Sequence, residues 1–268
     1  MLAMGGMIGV LSYLPTYLQM VYGYSATASG LLLVPITVGM LVSSILSGVL
    51  VSRTDRYKIY PVLGPLMAAG AAFWLSRLTT SSPVWQISAA TFIMGSGIGL
   101  FFQLLVTVVQ NALPARHLGT ATSGNNFFRE VGVSLGASLI GAAFSSGLTS
   151  NLTDRIGALA RSADPAVLVS LVQFREVDTS SLTLALVNKL PTALHDAVAS
   201  SYAEALLPIF AWMIPLFVAT SIIALFLPEV PLSQKTGMEQ IAEAEGQAEI
   251  EISESSPQEL GSLSGVSR

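Results

Sequence analysis

Residues 1–52 contain no charged side chain at all, and that run narrows what the chain can fold into. A soluble domain carries about 25% charged residues, because its outer surface has to face water. Here the 268 residues are 52% hydrophobic and only 10% charged, too few charges to cover a globule of this size. Lipid is therefore the expected solvent for most of the surface. A first span also normally carries a charged flank that sets its orientation. An uncharged opening stretch is thus expected of a chain with sequence missing upstream.

A helix crossing the acyl layer needs about 20 mainly apolar residues, since that layer is about 30 Å thick and each residue rises about 1.5 Å. Six segments qualify, at about 2–22, 29–52, 59–78, 84–111, 122–147 and 206–227. Continuous apolar runs without alternation call for helices rather than barrel strands. The expected fold is all-α, a polytopic bundle of six transmembrane helices, with five of them in residues 1–147 and the sixth at 206–227. Arg53, Arg56, Lys58, Arg116 and Arg129 fall at the second and fourth connections, whereas the third offers only Arg77. The cation-rich side is assigned to the cytoplasm, which places the chain as a multi-pass protein of the cell (plasma or inner) membrane.

Residues 148–205 then lie outside. Asp164 before Pro165, apolar residues at helical spacing from Val167 to Val172, and a second amphipathic stretch around Leu194, Val198 and Tyr202 predict an extracytoplasmic helical hairpin. Residues 228–268 are acidic and rich in Ser and Gly, a composition expected to leave a disordered cytoplasmic tail. The formal charge of −4 sits mostly there, where eight glutamates face Lys235 and Arg268. With no dense basic patch, nucleic acid is not an expected partner. Cysteine is absent and His117 and His195 form no cluster, so no metal site or cofactor is expected. Neither a triad, a P-loop nor paired acids point to an enzyme.

Polar side chains inside spans are costly, so they are expected to face protein or water. Ser12, Thr16 and Gln19 share a face of the first span; Gln103, Thr107, Gln110 and Asn111 share one of the fourth; the fifth carries Asn125, Asn126, Arg129 and Glu130. Two roles stay open for these residues: hydrogen bonds between helices, or the wall of a substrate and proton pathway. Arg129 and Glu130 are adjacent and point about 100° apart, so each is expected either to meet a neighbouring span rather than the other or to snorkel to the nearby interface. Gly5/Gly9, Gly95/Gly99 and Gly132/Gly136 have the spacing of close helix packing. Pro15, Pro35, Pro65 and Pro215 are candidate kinks.

The segment from Gly48 through Arg53, Asp55, Arg56 and Lys58 resembles the second copy of the basic loop signature of the major facilitator superfamily. In that family the loop's glycine packs two spans and its cations bridge their cytoplasmic ends. Tyr13-Leu-Pro15-Thr-Tyr-Leu-Gln19, Gln110-Asn111, and Gly119-Thr-Ala-Thr-Ser-Gly-Asn-Asn-Phe-Phe-Arg129 with Gly132 and Gly136 look like the fourteen-span drug:proton antiporter branch, in its last six spans. The resemblance implies the C-terminal half of a proton-coupled multidrug efflux transporter. Its partners would be the bilayer, a hydrophobic or cationic small molecule, protons, and a missing N-terminal half or partner subunit. Asp55 departs from the signature, which usually has glycine there. The alternative is a nonfunctional remnant, or a structural or regulatory subunit that binds a complete transporter.

Overall fold

A computed structural model describes residues 2–54, 58–111, 118–161 and 192–227, and every described element is helical. In chain order these are α1 (Leu2–Tyr22), α2 (Ala26–Leu31), α3 (Val34–Thr54), α4 (Ile59–Ser76), α5 (Val84–Asn111), α6 (Leu118–Arg161) and α7 (Thr192–Leu225). Two compact units emerge, Met1–Leu105 with Asn126–Glu229, and Val106–Asn125 with Val230–Arg268. The packing that follows is internal to the first. In the second, the described residues are the last turns of α5 and the first turns of α6.

Among the described residues, five stretches are long and apolar enough to cross a membrane: Ala26–Arg53, Ile59–Ser76, Val84–Val106, Gly119–Ala158 and Leu194–Leu225. Helix α1, the remaining one of the six expected spans, has the length, at 21 residues. Ser12, Tyr13, Thr16, Tyr17 and Gln19 dilute its apolar character. It compensates by lying inside the bundle: Val10, Leu14, Tyr17 and Leu18 are fully buried and join one core with Phe210 and Phe217 of α7.

The expected second span is two helices, not one. Pro35 has no N–H to donate and its ring would crowd the carbonyl of Leu31 in a continuous helix. Accordingly α2 ends at Leu31, and a tight turn bridges to α3 through Leu33 N–H donating to the Gly30 carbonyl (3.1 Å). Ser25 caps α2 by accepting from the Ala28 N–H (3.2 Å). Pro15, Pro65, Pro208 and Pro215 stay inside their helices.

Glycine sets how closely the helices approach. A Cβ on Gly95 would overlap the Ile36 carbonyl oxygen, and one on Gly99 the Met40 carbonyl and the Ser43 hydroxyl, so α5 lies backbone to backbone against α3. Ser44 Oγ donates across the seam to the Gly99 carbonyl (3.2 Å). Between them Gly97 turns the other way, where a Cβ would collide with the Gly64 carbonyl of α4. Helix α4 in turn packs on α7, with Ser221 Oγ donating to the Val62 carbonyl (2.8 Å). Helix α1 wedges against both α6 and α7. A Cβ on Gly5 would stand 3.1 Å from the Gly132 carbonyl and 3.3 Å from Gly136 Cα, while one on Gly6 would press into Phe217. At the other end of α1, Tyr22 OH donates to the Ser82 carbonyl (2.7 Å), tying α1 to the turn before α5.

Both helices that flank the expected hairpin run past their expected ends. Helix α6 has 44 residues and α7 has 34, about 66 and 51 Å at 1.5 Å per residue, so each overreaches an acyl layer of about 30 Å. Gly147 and Ala205 are not breaks, because the apolar i, i+4 series Ile140, Phe144, Leu148, Leu152 stays buried through the boundary. The segment between the two helices, with Asp164, Pro165 and Val167 to Val172, lies outside the described residues, as do the expected tail 228–268, Asp55, Arg56 and Arg116.

Candidate functional site

Only 17% of the most apolar window of α6 is buried, and one exposed side of it is polar from end to end. Asn126, Glu130, Ser134, Ser138, Ser145, Thr149 and Thr153 are all exposed, recurring at intervals of four with one step of seven. A four-residue repeat precesses slowly around a helix of 3.6 residues per turn, so these side chains form a continuous, gently winding lane. The seam that meets α1 winds with it through Gly132, Gly136, Ile140 and Phe144, and the buried series continues along α6 through Leu148 and Leu152. Ser138 Oγ donates to the Ser134 carbonyl (2.9 Å) and Thr153 Oγ1 to the Thr149 carbonyl (2.8 Å). Spending the hydroxyl proton on the helix's own backbone leaves the oxygen lone pairs facing outward. Ser138 and Thr153 thus offer acceptors, which suit a donor such as a protonated amine or a water molecule. At its C-terminal end Ser145, Ser146, Thr149, Ser150, Thr153 and Asp154 line an open hollow of about 630 Å³.

The charges expected to reach neighbouring spans do not do so. Arg129 Nη2 lies 3.1 Å from Glu130 Oε1 and Nε lies 3.2 Å from the same oxygen. Two long side chains bend across the 100° that separates their Cα–Cβ vectors, and both remain exposed, at 40% and 65% of their side-chain surface. They stand beside Phe127 and Phe128, whose rings meet edge to face at 5.6 Å and are 62% and 60% exposed. Aromatic faces next to an exposed carboxylate are a chemically sensible reception point for an apolar cation.

The other sequence candidates distribute unevenly. Gln19 is half-buried on α1. Its stripe with Ser12 and Thr16 shares the sector of Gly5, which meets α6, and turns away from Gly6, which meets α7. Gln103 is exposed on α5, and Asn125 is half-buried. Thr107, Gln110 and Asn111 belong to α5, but their side chains are not among those described. Arg53 is exposed at the end of α3 and Lys58 stands just before α4. At Gly48 nothing among the described residues lies within 4 Å of a Cβ placed there. Gly95, Gly99, Gly132 and Gly136 all sit at close helix contacts.

Sequence reasoning missed the hydroxyls of the α6 lane. Their signal was present as small polar residues at four-residue spacing from Ser134 to Thr153, but serine and threonine in a span read equally well as packing. The Gly64–Gly97 contact was missed too, because the two glycines lie on different helices.

Residues 1–137 match the family model of the Major Facilitator Superfamily. An uncharacterised MFS-type transporter of Mycobacterium tuberculosis is 39% identical over 228 residues, covering 85% of this chain and 31% of that protein. The multidrug transporter protein MdtP of Bacillus subtilis is 30% identical over 151 residues, 56% of this chain and 28% of its own length. A tetracycline resistance determinant of Streptomyces rimosus is 30% identical over 135 residues, 50% of this chain and 39% of its own. The chain therefore spans between about a quarter and two-fifths of these relatives. With the matched region embracing α1 to α5 and the seam glycines of α6, this multi-pass membrane chain belongs to the Major Facilitator Superfamily, a family of transporters rather than enzymes.

Proposed function

We propose that the chain is the C-terminal half of a proton-coupled multidrug efflux transporter, and that it exchanges a hydrophobic or cationic compound for protons only when a complementary N-terminal half is supplied. The observation that carries this is the α6 lane, a polar side on a helix of membrane-spanning length. Such a side is costly against acyl chains and becomes affordable against a water-filled cavity. A single six-helix bundle has no opposing wall to enclose one, whereas alternating access needs two bundles around a midplane site. In this scheme Asn126, Glu130, Ser134 and Ser138 line one wall, with Gln19 and Gln103 as further pathway residues. The Arg129–Glu130 pair with Phe127 and Phe128 forms its cytoplasmic mouth. The names of the Bacillus and Streptomyces relatives, a multidrug transporter and a tetracycline resistance determinant, agree with this substrate class.

The test is dye efflux from cells expressing the chain with a matching N-terminal half, beside proteoliposomes holding the purified chain alone. Efflux is expected from the pair only. Gradient formation by the chain alone overturns the requirement for a second half. In the competing reading, a structural subunit bound to a complete transporter, neutralising Arg129 and Glu130 leaves complex formation and efflux unchanged.

A further inference from the structure

On the flank of α6 that faces α7 lies a groove of a different character. Leu139, Ile140, Ala143, Pro208, Trp212 and Leu216 wall a cleft of about 530 Å³, with Ser150, Asn151 and Glu204 at one end. The Glu204 carboxylate is ion-paired there with the Arg155 guanidinium of α6, and both side chains stay more than a third exposed, at 54% and 37%. Leu139 and Trp212 at the opening are 70% and 76% exposed. Glu204 to Leu216 covers about 18 Å of helix. A volume of about 530 Å³ over that length has a mean cross-section of about 30 Å², enough to seat a single hydrocarbon chain along the cleft.

Position and charge then identify the occupant. The apolar walls fall within the expected spans, and the polar end falls in the turns of α6 and α7 that overreach the acyl layer, at headgroup depth. One cation beside one anion complements a zwitterion. The guanidinium suits a phosphate, and the carboxylate accepts hydrogen bonds from a primary ammonium, which a quaternary ammonium cannot donate. We propose that the α6–α7 groove is a phospholipid site, holding one acyl chain against Trp212 and a phosphoethanolamine headgroup on Arg155 and Glu204. It lies on a different flank of α6 from the polar lane, so it does not depend on the transport proposal.

The test uses the full chain carrying Trp74→Phe and Trp85→Phe, so that Trp212 is the one remaining tryptophan of three. It is placed in phosphatidylcholine nanodiscs with a minor fraction of acyl-brominated phosphatidylethanolamine, phosphatidylglycerol or phosphatidylcholine. Brominated phosphatidylethanolamine is expected to quench Trp212 at least twofold more than the other two at equal fraction. That preference should vanish in Glu204→Gln and in the swapped variant Arg155→Glu/Glu204→Arg, which preserves the pair. Equal quenching by the three lipids overturns the proposal, as does a preference that survives both variants. So does a Trp212 that no lipid quenches, which would mean protein covers the groove. If the variants unfold by circular dichroism, the headgroup ranking of the unsubstituted pair decides.

Discussion

Helices α5 and α6 both have the length and apolar character to cross a membrane, yet 56% of the most apolar window of α5 is buried against 17% of that of α6. Glycine explains part of the difference. In α5, Gly95 and Gly99 occupy one face and Gly97 the opposite one, so backbones of α3 and α4 close in from two sides. Helix α6 receives the backbone of α1 on one side, at Gly132 and Gly136. Its remaining circumference is divided between hydroxyls and an apolar groove. Helix α5 is thus built to hold the bundle, and α6 to present surfaces to something outside it.

The largest expected effect lies on the packed side of this comparison. Gly97→Leu drives a side chain into the Gly64 carbonyl, and backbone cannot move aside as a flexible side chain can. Overpacking of this kind costs about 3 kcal/mol or more, read as a lowered unfolding midpoint in detergent. Gly70→Leu on α4, where a Cβ meets nothing within 4 Å, should stay within about 0.5 kcal/mol of the parent. Equal losses at both positions would mean that the glycine seam is not what holds α5.

Next comes the open side. Ser138→Leu and Thr149→Leu exchange exposed lane hydroxyls for hydrocarbon. If the lane faces a water-filled pathway, paired with the N-terminal half each should lower dye efflux about tenfold, equivalent to about 1.4 kcal/mol, with the melting midpoint unchanged. Helix stability rising while efflux holds would show that the lane faces lipid, and the contrast with α5 would then concern packing alone.

A smaller effect sharpens the meaning of glycine within the bundle. Gly48 lies mid-helix in α3 with open space around it, unlike Gly99, whose missing Cβ admits the Met40 carbonyl. Gly48→Ala should therefore stabilise the isolated chain by about 0.5 to 1 kcal/mol through reduced backbone entropy in the unfolded state. Loss of stability only when the N-terminal half is present would place the packing partner of this glycine there.

These contrasts also show where sequence is legible. The spans could be read because acyl-layer thickness imposes a length and an apolar composition, constraints that act on each helix alone. Close packing at Gly95 and Gly99 was visible because both contact residues share one helix face. The Gly64–Gly97 contact and the α6–α7 groove were not visible, since each depends on two helices whose relative rotation no local pattern encodes. The break at Leu32 was legible in principle, because Pro35 disfavours a continuous helix through Leu31, but a long apolar run outweighed the single proline. The Arg129–Glu130 pairing failed for a related reason. Reasoning from Cα–Cβ directions neglects the reach of side chains with three or four rotatable bonds.

That pair supplies the smallest expected effect. Arg129 and Glu130 are both more than a third exposed, and exposed ion pairs between neighbours couple by at most about 1 kcal/mol, because water and side-chain entropy offset most of the attraction. A double-mutant cycle with Arg129→Gln and Glu130→Gln should accordingly show a coupling in unfolding free energy below that bound. In efflux by the reconstituted pair the two substitutions should differ instead, since only the carboxylate can attract a cationic compound beside Phe127 and Phe128. Glu130→Gln should weaken export of cationic dyes more than of neutral ones, and Arg129→Gln should not. Equal losses for cationic and neutral dyes would leave the pair as an interfacial clasp, and the N-terminal end of α6 would then join α5 as a structural element.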